Sequence, residues 1–287
     1  MKLTPMETGL RFMVPTTNNI SETSNLKLSI QVSLSGLSFC VLNIETQTIE
    51  YLKVNSFDKK LNPKEVMFKI QSYFESEKPL QQKFSTLVVI HKNDLSTIVP
   101  LALFNEDNLA DYLKFNNKIL STDFITFDTI NINDSANVYI PFVNINNFLY
   151  ERFGEFTFKH FSTILVEQIL NAEKNSEKPK MYVNISDENF EITVVEKGKL
   201  KLYNSFEFKT KEDFIYYILF TAEQLKLNPE TFELIFTGNI DSKDELYSIA
   251  YKYVRFVFFT KRIESYKYSD QAQPENNHSQ FVILNSF

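Results

Sequence analysis

The chain has 287 residues, 30 of them basic and 36 acidic, which gives a formal net charge of −6. Only four of the basic residues are arginine, so no nucleic-acid partner is expected, because binding of a phosphate backbone needs clustered cations. A single cysteine, Cys40, excludes an internal disulfide, and without a secretory signal or an apolar run near the ~18 residues that cross a bilayer we expect a cytoplasmic protein with no transmembrane segment.

The chain starts with a tail and then enters the first of two predicted lobes. Residues 1–25 are rich in Ser, Thr and Asn and have no sustained periodicity, so we predict a disordered or loosely packed segment. The first lobe is predicted over residues 26–172. Residues 28–57 contain two turns, and on either side of each turn apolar and polar residues alternate. This pattern predicts three strands with one buried face. Asn62 and Pro63 then supply a cap and a first helical position, which predict a helix start.

A buried strand and a small insertion complete the first lobe. The apolar run 86–90 is typical of a strand buried on both faces, which a preceding helix would place parallel to an earlier strand. Residues from about 95 to 141 contain short strands and a helix without a counterpart later in the chain, so we predict a small insertion subdomain. The second lobe is predicted over residues 173–269. Residues 270–287 are predicted to form a C-terminal tail, in which 281–284 are the candidate for a docked strand.

The second lobe repeats the pattern of the first at a spacing of 151 positions. Phe39 and Phe190 are separated by this number, as are Phe57 and Phe208, since 190 − 39 and 208 − 57 both give 151. A capped helix, with its second cap at Thr210, and a buried apolar strand follow each copy. We therefore predict an α/β protein with an internal duplication, in which Phe39 and Phe190 are equivalent core residues.

This order of elements resembles the actin-like ATPase superfamily, which includes sugar kinases, heat-shock chaperones and actin-like proteins of pilus and secretion machines. The resemblance implies a two-lobed fold with duplicated, ribonuclease-H-like mixed sheets and flanking helices. More narrowly, residues 28–39 (Leu-Ser-Ile-Gln-Val-Ser-Leu-Ser-Gly-Leu-Ser-Phe) are similar to the start of an uncharacterised Bacteroidetes domain-of-unknown-function family with this fold. Residues 95–103, with Val99 and Pro100 before a Leu-Phe pair, are similar to the same family.

The resemblance also implies where phosphates would bind, and the sequence departs from the superfamily there. Its members hold phosphates in the first turn of each lobe, where an Asp positions a hydrated metal and glycines let backbone N–H groups approach. In the first turn, Leu34 stands before Ser35 and Gly36, where the Asp is expected. In the second turn, Ser186 and Asp187 come without any glycine. We therefore interpret Ser35, Gly36, Ser186 and Asp187 as degenerate positions of a nucleotide site.

Gly238 is the third position at which a nucleotide would be approached. It stands alone where the superfamily has paired glycines after a buried strand, and a strand-to-helix turn explains it equally well. The chain has five glycines in all, and no two are close enough to form a phosphate cradle. We interpret Gly36 and Gly198 as hairpin residues with positive φ. No cofactor is therefore expected.

Other types of site have less support. The three histidines, His91, His160 and His278, are far apart and lack metal-ligand spacing, so neither a metal site nor a catalytic residue is predicted. His91 ends a buried strand, where it is either a structural residue or one that faces the cleft between the lobes. Cys40 lies in a predicted strand and is interpreted as a buried structural thiol.

A positive stripe on the second lobe is the candidate partner surface. Lys197, Lys199 and Lys201 alternate along a predicted hairpin, which is typical of a solvated strand face and also suits an acidic partner. We predict a non-catalytic, actin-like-fold protein that acts as a cytoplasmic interaction or assembly scaffold for a protein partner. The alternative is an atypical ATP-binding protein or sugar-kinase-like enzyme, with ATP and Mg²⁺ as cofactors. The sequence identifies neither the partner nor the oligomeric state.

Overall fold

The structure is a computed structural model, which describes residues 24–186, 189–262 and 266–287. The chain divides into two compact units. The first comprises residues 24–164, 266–273 and 282–287, and the second comprises residues 165–186, 189–262 and 274–281. Strands and helices alternate through both, so the predicted α/β class is confirmed.

The strands of the described residues are β1 (Leu26–Val32), β2 (Gly36–Asn43), β3 (Thr48–Ser56), β4 (Thr86–His91), β5 (Ser96–Pro100), β6 (Thr126–Ile130), β7 (Ser135–Tyr139), β8 (Thr157–His160), β9 (Lys180–Ile185), β10 (Asn189–Glu196), β11 (Lys199–Glu207), β12 (Glu233–Gly238), β13 (Phe256–Phe259) and β14 (Lys267–Tyr268). The helices are α1 (Pro63–Ser76), α2 (Leu109–Leu113), α3 (Val143–Phe153), α4 (Phe161–Glu173), α5 (Lys211–Gln224), α6 (Glu245–Tyr253) and α7 (Phe281–Leu284).

Six strands form the main sheet of the first unit, in the order β14-β3-β2-β1-β4-β8. The strands β1, β2 and β3 make an antiparallel meander, and β4 pairs parallel to β1. This confirms the predicted order of meander, helix and parallel strand. The sequence did not predict β14, which places Lys267 beside Thr48 at the edge of the sheet, because two residues are too few to show a period.

Helix α1 begins where its cap was predicted. The side-chain oxygen of Asn62 accepts hydrogen bonds from the N–H groups of Lys64 and Glu65, both at 3.0 Å, and the Glu65 carboxylate accepts one from the Asn62 N–H at 2.8 Å. This capping box satisfies N–H groups that have no partner inside the helix. The buried face of α1, which includes Val66 and Phe74, packs in the core of the first unit, and each such side chain contributes about 1.5–3 kcal/mol of burial energy.

Three strands of the first unit form a separate antiparallel sheet, in the order β5-β7-β6. They lie in the part of the chain predicted as an insertion, and they have a small apolar cluster of their own around Val99, Leu113 and Val138. Strand β7 begins at Ser135, three residues before the apolar Val138. Asp134 adopts the left-handed conformation (φ 47°) and turns the chain immediately before β7. Two residues of the polar run 133–136 therefore belong to the strand.

The second unit contains one sheet of five strands, in the order β11-β10-β9-β12-β13. Its first three strands in the chain again make an antiparallel meander, and β12 pairs parallel to β9. Helix α5 begins at the predicted cap, where Thr210 Oγ1 accepts from the Asp213 N–H (3.1 Å) and the Asp213 carboxylate accepts from the Thr210 N–H (3.0 Å). Its residues Phe214 and Ile218 are buried in the core of this unit.

The strand register corrects the predicted correspondence between the two meanders. A β-bulge interrupts the β2–β3 ladder after Val41 and the β10–β11 ladder after Val194, which lie 194 − 41 = 153 positions apart. The predicted spacing of 151 is therefore wrong for β2, and Phe39 corresponds to Ile192 rather than to Phe190. Because side chains alternate with period two, a shift of two residues leaves the apolar pattern in phase and is invisible in the sequence.

The predicted spacing does hold in the third strand of each meander. Tyr51 pairs with Val41 in the first unit, and Leu202 pairs with Val194 in the second, so that 202 − 51 gives 151. Residues 44–47 join β2 to β3, whereas only Lys197 and Gly198 join β10 to β11, so the second unit is two residues shorter at this turn. Phe39 and Phe190 are nevertheless both fully buried.

The predicted final strand at residues 281–284 is wrong, because these residues form the short helix α7. All four side chains are buried, including Phe281 and Ile283. A short run in which every residue is apolar and buried has no period, and it fits one turn of buried helix as well as a strand.

Candidate functional site

The turn between β1 and β2 is the first position at which the sequence predicts a degenerate phosphate site. The Ser33 N–H donates to the Gly36 carbonyl at 3.0 Å, and the Ser33 hydroxyl donates to the same oxygen at 3.0 Å. The Ser35 N–H donates to the Ser33 hydroxyl oxygen at 3.3 Å. Two N–H groups that a phosphate would need are therefore bound within the turn itself.

Leu34 fixes the same turn to the rest of the first unit. Its side chain packs against the core, its carbonyl accepts the Leu61 N–H at 2.8 Å, and the neighbouring Ser35 carbonyl accepts the Phe57 N–H at 2.7 Å. A carboxylate at residue 34 would replace an apolar side chain that contacts other apolar side chains. This residue stabilises the turn and has no group that binds a metal or its water.

Gly36 is explained by packing and not by a positive φ. Among the described glycines, Gly154, Gly198 and Gly238 have a positive φ and Gly36 does not, so the positive φ predicted for Gly36 is wrong. A Cβ at this position would lie 2.6 Å from the carbonyl oxygen of Asn55 on β3. Gly198 does have a positive φ, of 67°, as predicted for a hairpin residue.

The turn between β9 and β10 repeats the backbone bond of the first turn. The Ser186 N–H donates to the Asn189 carbonyl at 2.9 Å, as Ser33 does to Gly36. Asp187 lies outside the described residues. Since Ser186 corresponds to Ser33, Asp187 is the sequence counterpart of Leu34, and the two turns differ in charge at that position.

Gly238 is held by the C-terminal part of its own unit. Its φ is +88°, and an added Cβ would collide with the carbonyl oxygen of Ile185. The Gly238 N–H donates to the carbonyl of His278 at 3.0 Å, and the Thr237 hydroxyl donates to the same carbonyl at 2.8 Å. The close approach that requires a glycine here is therefore an approach of protein backbone.

His278 is fixed over the end of β12 by its ring as well as by its carbonyl. Its Nε2 donates to the Ile240 carbonyl at 2.5 Å, and the ring stacks on Phe259 with centroids 4.4 Å apart. The residue is buried, as is Thr237. The N–H group that the superfamily resemblance places beside a nucleotide is thus bonded to the chain itself.

His91 is a structural histidine and not a residue of an open site. It is fully buried at the end of β4, its Nε2 donates to the Asn146 side-chain oxygen at 2.9 Å, and its Nδ1 accepts the Phe142 N–H at 3.2 Å. Burial lowers its pKa to about 4, against a smaller opposing effect of the Asn146 bond. The ring therefore remains neutral and links β4 to the start of α3.

A buried polar cluster beside His91 was missed by the sequence prediction. His160, at the end of β8, lies next to His91 in the sheet, and burial lowers its pKa to about 3. The Asp128 carboxylate accepts from the His160 N–H (2.8 Å), the Thr163 hydroxyl (2.7 Å) and the Tyr139 hydroxyl (3.0 Å). Burial outweighs these bonds and raises the pKa of Asp128 to about 6.

This cluster does not form a nucleophile–base–acid relay. The Ser162 hydroxyl lies 2.7 Å from His160 Nδ1, but Asp128 bonds the backbone N–H of His160 and not its ring. A catalytic relay needs the acid on the second ring nitrogen, which here lies 3.2 Å from the Asn93 carbonyl. The signal that could have revealed the cluster is Asp128 itself, which shares the buried face of β6 with Ile130.

The three lysines of the predicted partner surface lie together on the β10–β11 hairpin. Lys197 (φ 52°) and Gly198 form the turn, and Lys199 and Lys201 are exposed on β11. Lys201 pairs with Glu196 at 3.3 Å. The pairing offsets one of the three positive charges.

Metal binding and membrane crossing are two further possibilities for the described ranges, 24–186, 189–262 and 266–287. In these residues no three His, Cys, Asp or Glu side chains are grouped as metal ligands would be. No helix in the same part of the chain has the length and apolar character to cross a membrane. Cys40 is buried as predicted, and burial raises the pKa of its thiol.

A family model described as "Protein of unknown function (DUF3822)" matches residues 15–257 of the chain. The chain belongs to this family. Among solved structures, the DUF3822 chain is similar to a protein of Bacteroides thetaiotaomicron described as having an actin-like ATPase fold and unknown function. The two are 26% identical over 83% of this chain and 92% of that one, with a TM-score of 0.75. The predicted fold and the predicted Bacteroidetes family are both confirmed.

A more distant structure supports the same fold for the DUF3822 chain. The type IV pilus biogenesis complex PilM–PilN matches with a TM-score of 0.55 at 8% identity, over 90% of this chain and 94% of that one. At this identity the likeness concerns the fold alone. No curated protein matches the chain in sequence.

Proposed function

We propose that this protein is a non-catalytic member of the actin-like fold that serves as a cytoplasmic interaction or assembly scaffold for a protein partner. The observation that carries the proposal is the bond from the Gly238 N–H to the His278 carbonyl. This bond engages the N–H group of Gly238 within the chain, and the same N–H group is the one with which a nucleotide-binding relative would approach its ligand. Leu34, an apolar residue packed against the core at the position of the superfamily's Asp, supports the same conclusion.

The distant structural neighbour supports a role in assembly. That structure is a complex of PilM with a second protein, PilN, and a partner of the same general kind is what we propose for this chain. The shared bulge and the shared turn bonds of the two meanders also support an internal duplication. The acidic, arginine-poor composition supports a protein partner over a nucleic acid, and the presence of a single cysteine, the buried Cys40, supports a cytoplasmic location.

The lysine stripe is the first partner surface that we propose. Lys197 and Lys199 are exposed and Lys201 is paired with Glu196, so the stripe keeps a net positive charge in a chain of net charge −6. A local charge opposite to that of the whole chain steers acidic partners toward it and is sensitive to salt.

Calorimetric titration of the full chain with ATP and Mg²⁺ tests the non-catalytic part of the proposal. We expect no saturable binding at millimolar nucleotide, together with no release of phosphate. A matched variant, Ser35→Ala with Ser186→Ala, removes both turn hydroxyl groups that a phosphate could use. Low-micromolar binding by the parent that is lost in this variant would favour the alternative, an atypical ATP-binding protein or sugar-kinase-like enzyme.

A further inference from the structure

The strand β13 forms an edge of the five-stranded sheet of the second unit. Within the described residues it is paired as a strand with β12 alone. The Thr260 N–H donates to the Phe236 carbonyl at 2.8 Å. Since successive residues of a strand direct their N–H groups to opposite edges, Phe259 and Val257 direct theirs away from β12. Such a row of backbone groups is a template for another strand.

The side chains of this edge strand are unusually apolar on their outer face. Val257 lies in the core, whereas Phe256 and Phe258 point to the other face and are 41% and 47% exposed. Tyr251 and Tyr253, at the end of the preceding helix α6, are 63% and 53% exposed. Soluble proteins usually protect an edge with charges, prolines or a bulge rather than with exposed phenylalanines, and exposed aromatic groups are the residue type enriched in interface cores.

The charge of this segment is opposite to that of the chain. Residues 251–262 contain four basic residues and no acidic one, in a protein of net charge −6. Arg255 pairs with Glu230 at 3.2 Å, and Arg262 donates to the Asn276 carbonyl at 3.0 Å. Lys252 is exposed in the last turn of α6, four residues before β13 begins, and Lys261 is exposed two residues after β13 ends. A partner that lies along the strand therefore meets positive charge at both ends.

We propose that the β13 edge binds an extended segment of a partner protein as an additional strand. The segment would carry apolar residues at alternate positions, where they contact Phe256 and Phe258, and acidic residues toward Lys252 and Lys261. This inference rests on the proposed function, because it takes the protein to be a partner-binding scaffold. It deepens that function by naming a second surface, the conformation of the partner and its chemistry.

Other occupants fit the edge less well. A second copy of the chain, paired antiparallel along the same strand, would bring Lys252 and Arg255 of one copy toward Lys261 of the other, and like charges across a strand pair destabilise it. A membrane surface would suit the aromatic and basic side chains but leaves the backbone of an edge strand without hydrogen-bond partners. A nucleic acid is disfavoured by the negative net charge.

Selection from a library of short random peptides displayed on phage tests the inference with the full chain as bait. We expect enriched sequences with apolar residues at alternate positions and with acidic residues between or beside them. The bait variant Phe256→Ser with Phe258→Ser should lose these sequences, while Tyr216→Ser, which replaces an exposed aromatic residue on α5, should retain them. Enrichment of the same sequences on the double variant, or of sequences without alternation, overturns the inference.

The backbone requirement is tested with one enriched peptide made synthetically and labelled for fluorescence anisotropy. N-methylation of alternate peptide bonds keeps the side chains and charges but blocks strand pairing. We expect a loss of affinity of at least about tenfold, equivalent to about 1.4 kcal/mol. Equal affinity of the two peptides, binding of phosphatidylserine vesicles that depends on Phe258, or a dimer lost in Phe258→Ser would each overturn it.

The outcome also separates this inference from the proposed function. Some peptides could still bind the Phe256/Phe258 double variant and be lost when Lys197, Lys199 and Lys201 are changed to Glu. Such peptides would place the partner on the β10–β11 hairpin. The scaffold role would then stand and the β13 edge would be excluded. A library that yields no enriched peptide on any bait overturns the β13 inference, and the scaffold role is then decided by capture of a folded partner with the tagged chain.

Discussion

The first turns of the two units contain the same backbone bond and different side chains. Ser33 donates to Gly36 in one and Ser186 to Asn189 in the other, at 3.0 and 2.9 Å. At the next position the first unit has Leu34, which packs in the core, while the sequence of the second has an acid. Local backbone geometry can therefore stay constant while the chemistry of the turn changes, because the bond that closes the turn does not involve the variable side chain.

The ends of the central parallel strands differ in a second way. In the first unit β4 ends at His91, whose ring is bonded by Asn146 and by the Phe142 backbone. In the second unit β12 ends at Gly238, and the backbone of His278 closes it. One strand end is closed by side chains and the other by main chain. The first strand end thus carries a titratable ring, and the second tolerates no side chain because a Cβ at Gly238 would collide with the Ile185 carbonyl oxygen.

Truncation of the two buried phenylalanines has the largest expected effect on this comparison. Phe39→Ala and Phe190→Ala should each lower the free energy of unfolding by about 3–5 kcal/mol, as for other buried aromatic residues. Urea unfolding measures both. A loss below about 1 kcal/mol at either position, within the range of surface substitutions, would contradict its place in the core.

A double-mutant cycle then distinguishes the two spacings. The ring centroids of Phe190 and Phe214 are 4.8 Å apart, and Phe214 lies in the first turn of α5. The ring centroids of Phe39 and Phe74 are 6.3 Å apart, and Phe74 lies near the end of α1. Coupling energies of about 0.5–1.5 kcal/mol are expected for each of these pairs. If Phe39 coupled instead to Val66, the counterpart of Phe214 at the start of α1, the register-based correspondence would be wrong.

The second prediction concerns the strand end closed by main chain. Gly238→Ala should lower stability by about 2–3 kcal/mol, because the new Cβ collides with the Ile185 carbonyl at a φ that disfavours any side chain. The matched control is Gly198→Ala, at a φ of 67°, where a Cβ would lie 2.9 Å from the Lys174 carbonyl oxygen, farther than a Cβ at Gly238 would lie from that of Ile185, so the loss should be smaller, about 1 kcal/mol. Thermal or urea unfolding gives both values. Equal losses would show that the closer approach of the Ile185 carbonyl to Gly238 adds no constraint.

The third prediction concerns the pH response of the first unit. The unfolded chain binds protons on His91 and His160 below their usual pKa of 6.5, and the folded chain does not until about pH 4 and 3, so acid destabilises the fold. Asp128 acts in the opposite direction, since its folded pKa is raised from 3.8 to about 6 and the fold keeps a proton that the unfolded chain releases. Its contribution therefore grows as the pH falls from 6 to 4.

Asp128→Asn removes this compensation. Between pH 6 and pH 4 the variant should lose stability more steeply than the parent, by about 1.4 kcal/mol per pH unit, the value of one proton. Urea unfolding at three pH values in this window measures the difference in slope, which separates titration from the constant cost of the altered hydrogen bonds. Parallel curves for parent and variant would contradict the raised pKa.

The smallest expected change in stability belongs to the exposed lysines. Changing Lys197, Lys199 and Lys201 to Glu should alter the free energy of unfolding by roughly 0.5 kcal/mol or less at each position. Capture of the partner from the native cell with the tagged chain should fall, and the difference from the parent should shrink at high salt.

A control in the first unit makes this prediction specific. The same change of charge at three other exposed positions should leave capture unaffected: Lys59, Lys64 and Lys69. If both triple variants lose the partner equally, net charge is responsible and the hairpin is not the surface. If neither loses it, the stripe is solvated surface alone.

Much of the fold was predictable because its signals are local. The caps at Asn62 and Thr210 each use residues within four positions, and strand alternation needs only a few residues. The two-residue shift between the meanders was not predictable, since it preserves the alternation. The bond of Gly238 to His278 was not predictable either, because it joins residues 278 − 238 = 40 positions apart, and nothing near the glycine in the sequence indicates which backbone approaches it.

The short strand β14 has a consequence for the order of folding during synthesis. It completes the edge of the first sheet, with the Ser269 hydroxyl bonded to the Glu50 carbonyl across 219 positions, and the Ser286 hydroxyl lies 2.7 Å from that of Ser29 across 257 positions. The ribosome must therefore synthesise and release more than 200 further residues, as the separations of 219 and 257 positions show, before the first strands obtain these neighbours. Closing loops of this length is slow, so the nascent first sheet waits with an incomplete edge, and we expect it to depend on chaperones for that interval.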